Sequence, residues 1–235
     1  MTAPVTLPAF HVVIPAAGIG SRMRADRPKQ YLPLGGCTIL EHTLQIFLGH
    51  PACRLLAVSL AADDPWWPQL PCASDTRILR APGGRERADS VLSGLHCLQE
   101  SGAAGEDWVL VHDAARPNLA RSDLELLLTE LAHDPVGGLL AVPARDTLKQ
   151  AGPDGRVLRT LDRSTVWQAY TPQMFRLQSL QQALQDALRA GVAITDEASA
   201  LEWMGQSPRL VEGRGDNLKI TRPEDLQWLA SHWQV

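Results

Sequence analysis

Short runs of apolar residues alternate along the chain with segments in which apolar residues recur every three to four positions. The short runs are rich in Val, Ile and Leu and predict strands, whereas the periodic segments predict helices. The predicted strands are residues 10–15, 54–60, 76–79, 108–112, 138–142 and, as a further candidate, 208–211. The predicted helices are residues 38–48, 90–98, 122–132, 177–189, 196–204 and 222–232.

Strands that are apolar throughout and are separated by helices indicate a mostly parallel sheet covered by helices on both faces. The sequence therefore predicts an α/β fold in a single domain of residues 1–235. In sheets of this kind, ligands bind outside the carboxyl ends of the strands. The loops that follow the predicted strands are therefore the expected place of a functional site.

Three of the predicted helices begin with residues that favour helix N-termini. Thr38 is followed by Glu41, and Ser122 by Glu125, which is the spacing of a capping box. Thr221 stands just before the last helix and is its expected N-cap.

Residues 145–170 interrupt the alternation of strands and helices. Polar residues lie on both sides of the pair Asp154-Gly155, a dipeptide typical of tight hairpin turns. The segment therefore predicts a β-hairpin arm that projects from the domain. Since an isolated two-stranded hairpin buries too little surface to be stable by itself, we expect a second subunit to cover it.

The composition is that of an ordinary globular protein, with 45% apolar and 20% charged residues among 235. The formal net charge of -4 offers no broad basic surface for a nucleic-acid backbone, so we expect no nucleic-acid partner. No apolar run approaches the ~18 residues that cross a bilayer, and the N-terminus lacks the pattern of a signal peptide. The four cysteines form no Cys-x-x-Cys pair, which favours free thiols. These features predict a soluble protein in the reducing cytoplasm, with no membrane partner.

The loop after the first strand carries glycines and basic residues in a pattern typical of phosphate binding. Gly18 and Gly20 let the backbone approach a ligand closely, and their N–H groups can surround phosphate oxygens. The basic residues that follow are Arg22, Arg24, Arg27 and Lys29. The alternative interpretation is a glycine-rich turn followed by a solvated basic segment.

Two common phosphate loops are excluded here. Met23 stands where a dinucleotide fingerprint has its third glycine, and no Gly-Lys-Ser/Thr follows as in a Walker A loop. The pattern G-x-G-x-R-M, with Pro28-Lys29 further on, instead matches sugar-nucleotide transferases. In such enzymes, fixed cations stabilise the negative charge that gathers on the α-phosphate during transfer.

Glycines and a serine mark a second candidate loop, after the third predicted strand. Gly83 and Gly84 could let backbone groups contact the edge of a base. Ser90 stands at the predicted start of a helix, where its hydroxyl either caps the helix or reaches a ligand. The sequence leaves both roles of Ser90 open.

Charged residues mark two more loops. Asp113 follows the fourth predicted strand, where a carboxylate suits a magnesium ion or its water shell, and Arg116 could bind a phosphate. The alternative for these two residues is a surface ion pair. His112 is expected to be structural, and Lys219 by itself would be an ordinary solvated charge.

Seven stretches of the chain together resemble the 2-C-methyl-D-erythritol 4-phosphate cytidylyltransferase family. They are PAAGIGSRM, RPKQYLPLGG, ERADSVLSGL, WVLVHDAARP, VPARDTLK, ITDEASALE and VEGRGDNLKITRPEDL. The resemblance implies a Rossmann-like fold of the nucleotide-diphospho-sugar transferase type. It also implies transfer of the cytidylyl group of CTP to 2-C-methyl-D-erythritol 4-phosphate, which gives CDP-methylerythritol and diphosphate in the non-mevalonate isoprenoid pathway.

The resemblance also assigns residues to the two substrates. The implied CTP-binding residues are Ala16, Ala17, Gly18, Gly20, Gly83, Gly84, Ser90 and Asp113. The implied acceptor-binding residues are Asp113, Arg116, Thr147, Arg163, Thr171 and Lys219. Arg22 and Lys29 would stabilise the pentacoordinate α-phosphate, and Arg163 and Lys219 would position the acceptor phosphate for in-line attack.

The resemblance implies a magnesium ion that is carried largely by the CTP phosphates, with Asp113 nearby. It further implies a homodimer in which Thr147 and Arg163 of the hairpin arm reach the site of the partner subunit. No covalent intermediate is expected, because the acceptor phosphate is already a nucleophile and needs only to be positioned.

Two positions depart from the family's pattern. Ser21 stands where relatives often carry a basic residue, and Arg85 stands where an acidic residue is familiar. Two other functions stay open: transfer to a different polyol phosphate such as ribitol phosphate, and nucleotide binding without chemistry. The acceptor-side residues would distinguish the first of these from the implied reaction.

Overall fold

The computed structural model describes residues 7–18, 20–23 and 25–233, without the side chain of Ser21. In chain order the strands are β1 (Phe10–Pro15), β2 (Pro33–Leu34), β3 (Cys37–Thr38), β4 (Cys53–Leu60), β5 (Ile78–Pro82), β6 (Trp108–Val111), β7 (Gly137–Pro143), β8 (Lys149–Ala151), β9 (Val157–Thr160), β10 (Trp167–Arg176) and β11 (Arg209–Glu212). The helices are α1 (Ile39–Leu48), α2 (Arg87–Glu100), α3 (Arg121–Leu131), α4 (Leu177–Arg189), α5 (Glu197–Trp203) and α6 (Pro223–His232). Every strand and helix that the sequence predicts is present, with ends displaced by a few residues.

Seven strands form a central sheet in the order β11–β7–β10–β6–β1–β4–β5. Strand β1 pairs in parallel with β4 and β6, β4 pairs in parallel with β5, and β7 pairs in parallel with β11. Among these seven strands only β10 runs antiparallel to its neighbours, β6 and β7. The prediction of a mostly parallel sheet is therefore confirmed.

The sequence does not predict strand β10, and it assigns residues 167–170 to the hairpin arm. The structure corrects this, because these residues begin a ten-residue strand of the central sheet. Pro172 argues against a central strand, since proline cannot donate to a sheet ladder. The pairing of β10 with β7 is interrupted between Ala169 and Gln173, so Pro172 lies where the ladder is already broken.

Helices cover both faces of the sheet, as predicted. On one face, Leu44 of α1 and Leu127 of α3 pack in the same cluster as Val12 of β1. On the other face, Leu95 of α2 packs in the same cluster as Val13 of β1. Successive side chains of a strand point to opposite faces, so a strand covered on both sides must be apolar at consecutive positions.

The helix starts test three predictions about capping. At α1 the capping box is confirmed: the Glu41 backbone N–H donates to Thr38 Oγ1 at 3.2 Å, and the Thr38 N–H donates to the Glu41 carboxylate at 2.8 Å. The box at Ser122 is wrong, because α3 begins one residue earlier, at Arg121, and has no side-chain cap. The carboxylate of Asp123, within this first turn, instead accepts a hydrogen bond from the distant Arg214 N–H.

Thr221 is not the N-cap of the last helix, which is Arg222. The carboxylate of Asp225 accepts hydrogen bonds of 2.8 Å from both the N–H and the hydroxyl of Thr221. Thr221 therefore lies one residue before the N-cap and takes part in the start of α6 as a hydrogen-bond donor, whereas the sequence predicts it as the N-cap acceptor.

The predicted arm is present as a separate two-stranded sheet of β8 and β9. The chain turns at Gly155, whose φ of 75° is a left-handed conformation that glycine adopts without strain. All residues of both strands are exposed, including Val157 at 61% and Leu158 at 66%. The arm therefore presents apolar surface that the described residues leave uncovered.

All four cysteines are free thiols, as the sequence predicts. Burial raises the pKa of the Cys53 thiol to about 12, so this side chain stays protonated at neutral pH. Within the described residues, none of the helices has the length and apolar character needed to cross a membrane.

Close packing of α2 on β1 generates a prediction about stability. A Cβ atom on Gly94 would lie 2.6 Å from Val13 Cγ1, and Val13 is fully buried. We expect Gly94→Ala to lower the free energy of unfolding by about 1–3 kcal/mol, because helix and strand must move apart. At a helix position without such a contact, replacing glycine by alanine would instead raise the free energy of unfolding by ~1 kcal/mol. Urea denaturation of the purified proteins measures the change.

The matched control is Glu100→Ala, at the exposed end of the same helix. It should change the free energy of unfolding by less than about 0.5 kcal/mol. A Gly94→Ala protein as stable as the wild type would contradict the close contact between α2 and β1.

Candidate active site

The loops after β1, β5 and β6 open on one cavity of about 250 Å³, here called the first cavity. It lies at the carboxyl ends of these parallel strands, where the sequence places the functional site. Its lining residues are Pro15, Ala16, Ala17, Gly18, Lys29, Gln30, Gly84, Arg85, Glu86, Arg87, Ser90, Asp113, Ala114, Ala115 and Lys219. Most of the residues that the resemblance assigns to CTP therefore line this one cavity.

Gly20 and Gly83, which were assigned to CTP as well, do not line this cavity but shape it from behind. Gly20 has a φ of 65°, and a Cβ atom there would lie 2.9 Å from Lys29 Cγ. A Cβ atom on Gly83 would lie 2.2 Å from the Cβ atom of Ala17. Each glycine thus lets a neighbour that does line the cavity take its position.

Lys29 and Gln30 fix the first loop against the rest of the domain. The Gln30 side-chain amide donates a hydrogen bond of 2.6 Å to the Ala16 carbonyl, and Lys29 Nζ donates one of 2.8 Å to the Ile220 carbonyl. Lys29 therefore joins the first loop to the segment that precedes α6.

The pKa of Lys29 is lowered to about 8, first by burial and then by the neighbouring charge of Lys219. The Asp113 carboxylate opposes this effect, whereas Arg22 and Arg116 add to it. At neutral pH the ammonium group is therefore charged but repelled by its surroundings. Binding of an anion in this cavity would relieve that repulsion.

Of the two roles that the sequence leaves open for Ser90, the structure excludes helix capping, while the residue does line the first cavity. Helix α2 begins at Arg87, so Ser90 lies inside its first turns and does not cap it. The Gly84 N–H donates to Ser90 Oγ at 2.9 Å, and Ser90 Oγ donates to the Glu86 carbonyl at 3.1 Å. The hydroxyl thus holds the glycine loop against the helix while it also lines the cavity.

Asp113 is buried, and cationic groups surround its carboxylate. Arg87 Nε lies 3.2 Å from Oδ1, while Arg116 Nε and Lys219 Nζ lie 3.3 Å and 2.9 Å from Oδ2. Burial alone would raise the pKa of Asp113, but the charges of Arg87, Lys219 and Arg116 outweigh it and hold the pKa far below its usual range. The carboxylate is therefore ionised at every pH at which the protein works, and the exposed ion pair weighed from the sequence is excluded.

The partner of Arg87 was not predicted. Both carboxylate oxygens of Glu197, which is 1% exposed, accept hydrogen bonds from Arg87 Nη1 and Nη2 at 2.5 and 3.2 Å. Burial disfavours the charge of Arg87, but Glu197 and Asp113 together raise its pKa and keep it cationic. The sequence signal was an arginine directly after the glycine-rich loop, but nothing in the sequence connects it to a glutamate 110 positions later.

A second cavity of about 260 Å³ adjoins the first. Its lining residues are Arg87, Asp113, Arg116, Ala169, Tyr170, Thr171, Gln173, Thr195, Asp196 and Lys219. Arg87, Asp113 and Lys219 line both cavities and so form the wall between them. Four of the six residues assigned to the acceptor, namely Asp113, Arg116, Thr171 and Lys219, are therefore brought together here.

Arg116 is held in this second cavity by contacts on two sides. Its Nη1 donates a hydrogen bond of 2.7 Å to the Asn217 carbonyl, and its guanidinium carbon lies 4.6 Å from the centroid of the Tyr170 ring. Such a fixed planar cation is suited to phosphate oxygens.

Thr171 and His112 form a buried hydrogen-bonded chain behind Asp113. The Asp113 N–H donates to Thr171 Oγ1 at 3.1 Å, and this hydroxyl lies 3.0 Å from His112 Nδ1. His112 Nε2 lies 3.0 Å from the Arg116 carbonyl, so Nε2 carries the proton and Nδ1 accepts. Burial lowers the pKa of His112 to about 4, which keeps the ring neutral and supports its expected structural role.

Three predicted site residues lie apart from both cavities. Arg22 is exposed and borders a separate hollow with Arg222 and Glu224. Thr147 and Arg163 are exposed on the hairpin arm, where Arg163 donates to the Arg145 carbonyl. Arg24 and the side chain of Ser21 lie outside the described residues, and Arg85 is an exposed member of the first cavity's lining.

The donor set does not fit a metal ion held by the protein alone. Within the described residues, no group of three or more His, Cys, Asp or Glu side chains is placed to bind one. Both oxygens of the Asp113 carboxylate already face basic groups. A divalent cation at this site would need most of its oxygen ligands from a bound phosphate compound.

The charges of the two cavities favour anionic ligands. The lining includes five basic residues (Lys29, Arg85, Arg87, Arg116 and Lys219) and three acidic ones (Glu86, Asp113 and Asp196), which leaves two positive charges in excess. Two adjoining cavities with a cationic wall between them could hold two phosphate compounds with their phosphates close together.

Comparisons with known proteins point to one enzyme family. A model of the 2-C-methyl-D-erythritol 4-phosphate cytidylyltransferase family matches residues 10–232. The chain is 71% identical over 227 residues to the protein of that name from Pseudomonas entomophila strain L48, with 97% of each chain covered. It is also 71% identical over 224 residues to the one from Ectopseudomonas mendocina strain ymp, with 95% of each covered.

Solved structures give the same result. A crystal structure of a 4-diphosphocytidyl-2C-methyl-D-erythritol synthase is 39% identical and superposes with a TM-score of 0.82, covering 95% of this chain and 98% of that one. The 2-C-methyl-D-erythritol 4-phosphate cytidylyltransferase of Francisella tularensis is 36% identical with a TM-score of 0.80, covering 97% and 100%. The nucleotidyltransferase type of fold expected from the resemblance is therefore confirmed.

Proposed function

This chain belongs to the 2-C-methyl-D-erythritol 4-phosphate cytidylyltransferase family, and from that premise we propose how its two cavities carry out the transfer. The protein is a nucleotidyltransferase that moves the cytidylyl group of CTP to 2-C-methyl-D-erythritol 4-phosphate and releases diphosphate, in the non-mevalonate route to isoprenoids. CTP occupies the first cavity, and the acceptor occupies the second. The observation that carries this assignment is the shared wall of Arg87, Asp113 and Lys219.

Transfer requires an acceptor phosphate oxygen to approach the α-phosphorus of CTP opposite the departing diphosphate. The wall between the cavities is where these two groups meet. Lys219 lies there and reaches both cavities, while Lys29 borders the CTP side. Both ammonium groups would stabilise the negative charge that the phosphorus centre gains, and their positions are fixed before the reaction starts.

The acceptor is bound by the polar side chains that line the second cavity. Arg116 offers a fixed guanidinium for its phosphate, since the Asn217 carbonyl and the Tyr170 ring hold the side chain in place. Asp113 lies in the wall between the two cavities, and its carboxylate could accept hydrogen bonds from the hydroxyl groups of a polyol. No general base is needed, because the acceptor phosphate is an anion at neutral pH.

Magnesium enters this proposal as an ion carried by the triphosphate. When bound there, it would neutralise phosphate charge, and Asp113 in the lining of the cavity is a carboxylate that could bind the ion or its water shell. The free thiols support a reducing compartment, so we place the reaction in the cytoplasm.

The hairpin arm supports a homodimer with shared sites. Val157 and Leu158 are exposed on the arm, as are Thr147 and Arg163, the two acceptor residues that are missing from the second cavity. A second copy that covered the apolar strands could receive these polar residues in its own acceptor cavity. Arg22 is assigned, together with Lys29, to the pentacoordinate α-phosphate, and its exposed side chain would have to turn toward that group.

Diphosphate release with CTP and each of two acceptors tests the substrate assignment. We expect turnover with 2-C-methyl-D-erythritol 4-phosphate and at least about 10-fold lower kcat/KM with ribitol phosphate, which fills the acceptor cavity differently. A preference for ribitol phosphate would reverse the assignment. CTP binding without diphosphate release from either acceptor would favour a non-catalytic nucleotide-binding role.

The lowered pKa of Lys29 predicts the alkaline side of the pH profile. Only the protonated ammonium stabilises the transition state, so kcat/KM for CTP should fall as pH rises through about 8, the pKa of Lys29 in the free enzyme. The fall in kcat should lie at higher pH, because bound triphosphate favours the charged form. Steady-state rates of diphosphate release between neutral and alkaline pH measure both.

Lys29→Arg provides the comparison, since a guanidinium stays charged over this whole range. This variant should be slower than the wild type but should lose the decrease near pH 8. If Lys29→Arg kept the wild-type decrease, another group would be responsible for it.

Mixing two inactive variants tests the shared site. Lys29→Ala removes a cation of the first cavity, and Arg163→Ala removes an arginine of the arm. After subunit exchange, random pairing leaves one complete site in each mixed dimer, so about a quarter of the wild-type activity should return. Activity is measured before and after the proteins are mixed.

Arg159→Ala is the matched control for the arm, because Arg159 is also exposed there but donates to Gln150 within the arm. It should be active without mixing. If Arg163→Ala and Lys29→Ala recovered no activity together although mixed dimers had formed, each site would belong to a single subunit.

A further inference from the structure

The segment 216–220, between β11 and α6, contacts charged residues of both cavities. It receives hydrogen bonds from Lys29 at the Ile220 carbonyl and from Arg116 at the Asn217 carbonyl, with lengths of 2.8 and 2.7 Å. It also carries Lys219, whose ammonium group contacts Asp113 at 2.9 Å. This segment therefore links the cation of the first cavity to the cations of the second.

Asn217 is the side chain that fastens this segment to the central sheet. It is 1% exposed, and its Nδ2 donates a hydrogen bond of 2.8 Å to the carbonyl of Thr171 in β10. The backbone of the same residue accepts the hydrogen bond from Arg116. One residue thus contacts both Thr171 and Arg116, and Lys219 follows two positions later.

The other half of the Asn217 amide is not satisfied. Its Oδ1 is buried and has no hydrogen-bond partner among the described residues. A buried oxygen without a partner opposes folding, because it has lost its hydrogen bonds to water. An apolar residue of similar size would avoid this cost but would leave the buried Thr171 carbonyl without this donor. The stabilising half of the amide is therefore the Nδ2 group that contacts Thr171.

We propose that Asn217 is a positioning residue for the acceptor: through its hydrogen bond to Thr171 it holds Arg116, Thr171 and Lys219 in one arrangement around the acceptor phosphate. Asn217 does not line either cavity and acts through these three residues. The proposal rests on the proposed function, because the acceptor defines what is being positioned. It predicts a defect on the acceptor side of the reaction, with little effect on CTP.

Asn217→Leu tests this, since leucine is similar in size but can donate no hydrogen bond. We expect kcat/KM for 2-C-methyl-D-erythritol 4-phosphate to fall by at least about 10-fold, while KM for CTP stays within about 3-fold of the wild type. The thermal midpoint should change little, because the substitution removes the unsatisfied Asn217 oxygen while it leaves the Thr171 carbonyl without its donor. Asn217→Ala, which is smaller, should show the same division between the two substrates.

Asn118→Leu is the matched control. Asn118 Nδ2 donates a hydrogen bond of the same length, 2.8 Å, to the Asp216 carbonyl, so its side chain holds the same segment through a bond that does not involve Thr171 or Arg116. This variant should keep kcat/KM for both substrates within about 3-fold of the wild type.

Three outcomes would overturn the proposal. Unchanged acceptor kinetics in both Asn217 variants would show that the hydrogen bond positions nothing. Equal losses for CTP and acceptor, together with a lower thermal midpoint, would show a purely structural role. A defect of the same size in Asn118→Leu would show that any loosening of the segment is sufficient. If the wild type did not use the acceptor at all, the proposed function would fail first, and this proposal with it.

Discussion

The ionised carboxylate of Asp113 is the charge on which the rest of the site depends. A buried carboxylate is stable only when charges and hydrogen bonds compensate for lost water, and here Arg87, Arg116 and Lys219 do so at 2.9 to 3.3 Å. The same contacts keep three cations side by side that would otherwise repel one another. Since Asp113 follows β6, the middle strand of the seven-stranded sheet, the central sheet sets the position of this cluster.

The cluster divides one sheet edge into two compartments. The loops after β1 and β5 build the first cavity, and the irregular part of β10 together with the segment before α6 builds the second. Arg87 and Lys219 line both cavities. A charged group that binds in one cavity therefore changes the electrostatic potential in the other. The pKa of Lys29 is low because the side chain is buried and lies near other basic groups. A bound anion would compensate for this excess of positive charge.

Much of this could be read from the sequence. The strands and helices followed from apolar periodicity, because parallel strands covered on both faces must be apolar at consecutive positions. The first loop, Gly84, Ser90 and Asp113 stood out because glycines and charges after a strand mark the ligand-binding edge of such a sheet. The capping box at Thr38 was also local, and it was correct. Ser122 has the same sequence pattern, but the prediction of a capping box there was wrong. Helix α3 already begins at Arg121, so Ser122 lies inside the helix and cannot cap it.

The sequence by itself thus determined the α/β architecture, the edge of the sheet that carries the site, and, through family resemblance, the reaction. Only the tertiary structure decided which charges meet. The pairing of Arg87 with Glu197, the antiparallel pairing of β10 with β6, and the contact of Asn217 with Thr171 join residues that are 46 to 110 positions apart. No local pattern encodes such contacts, because their free energy comes from burial and charge compensation that exist only once the chain has folded.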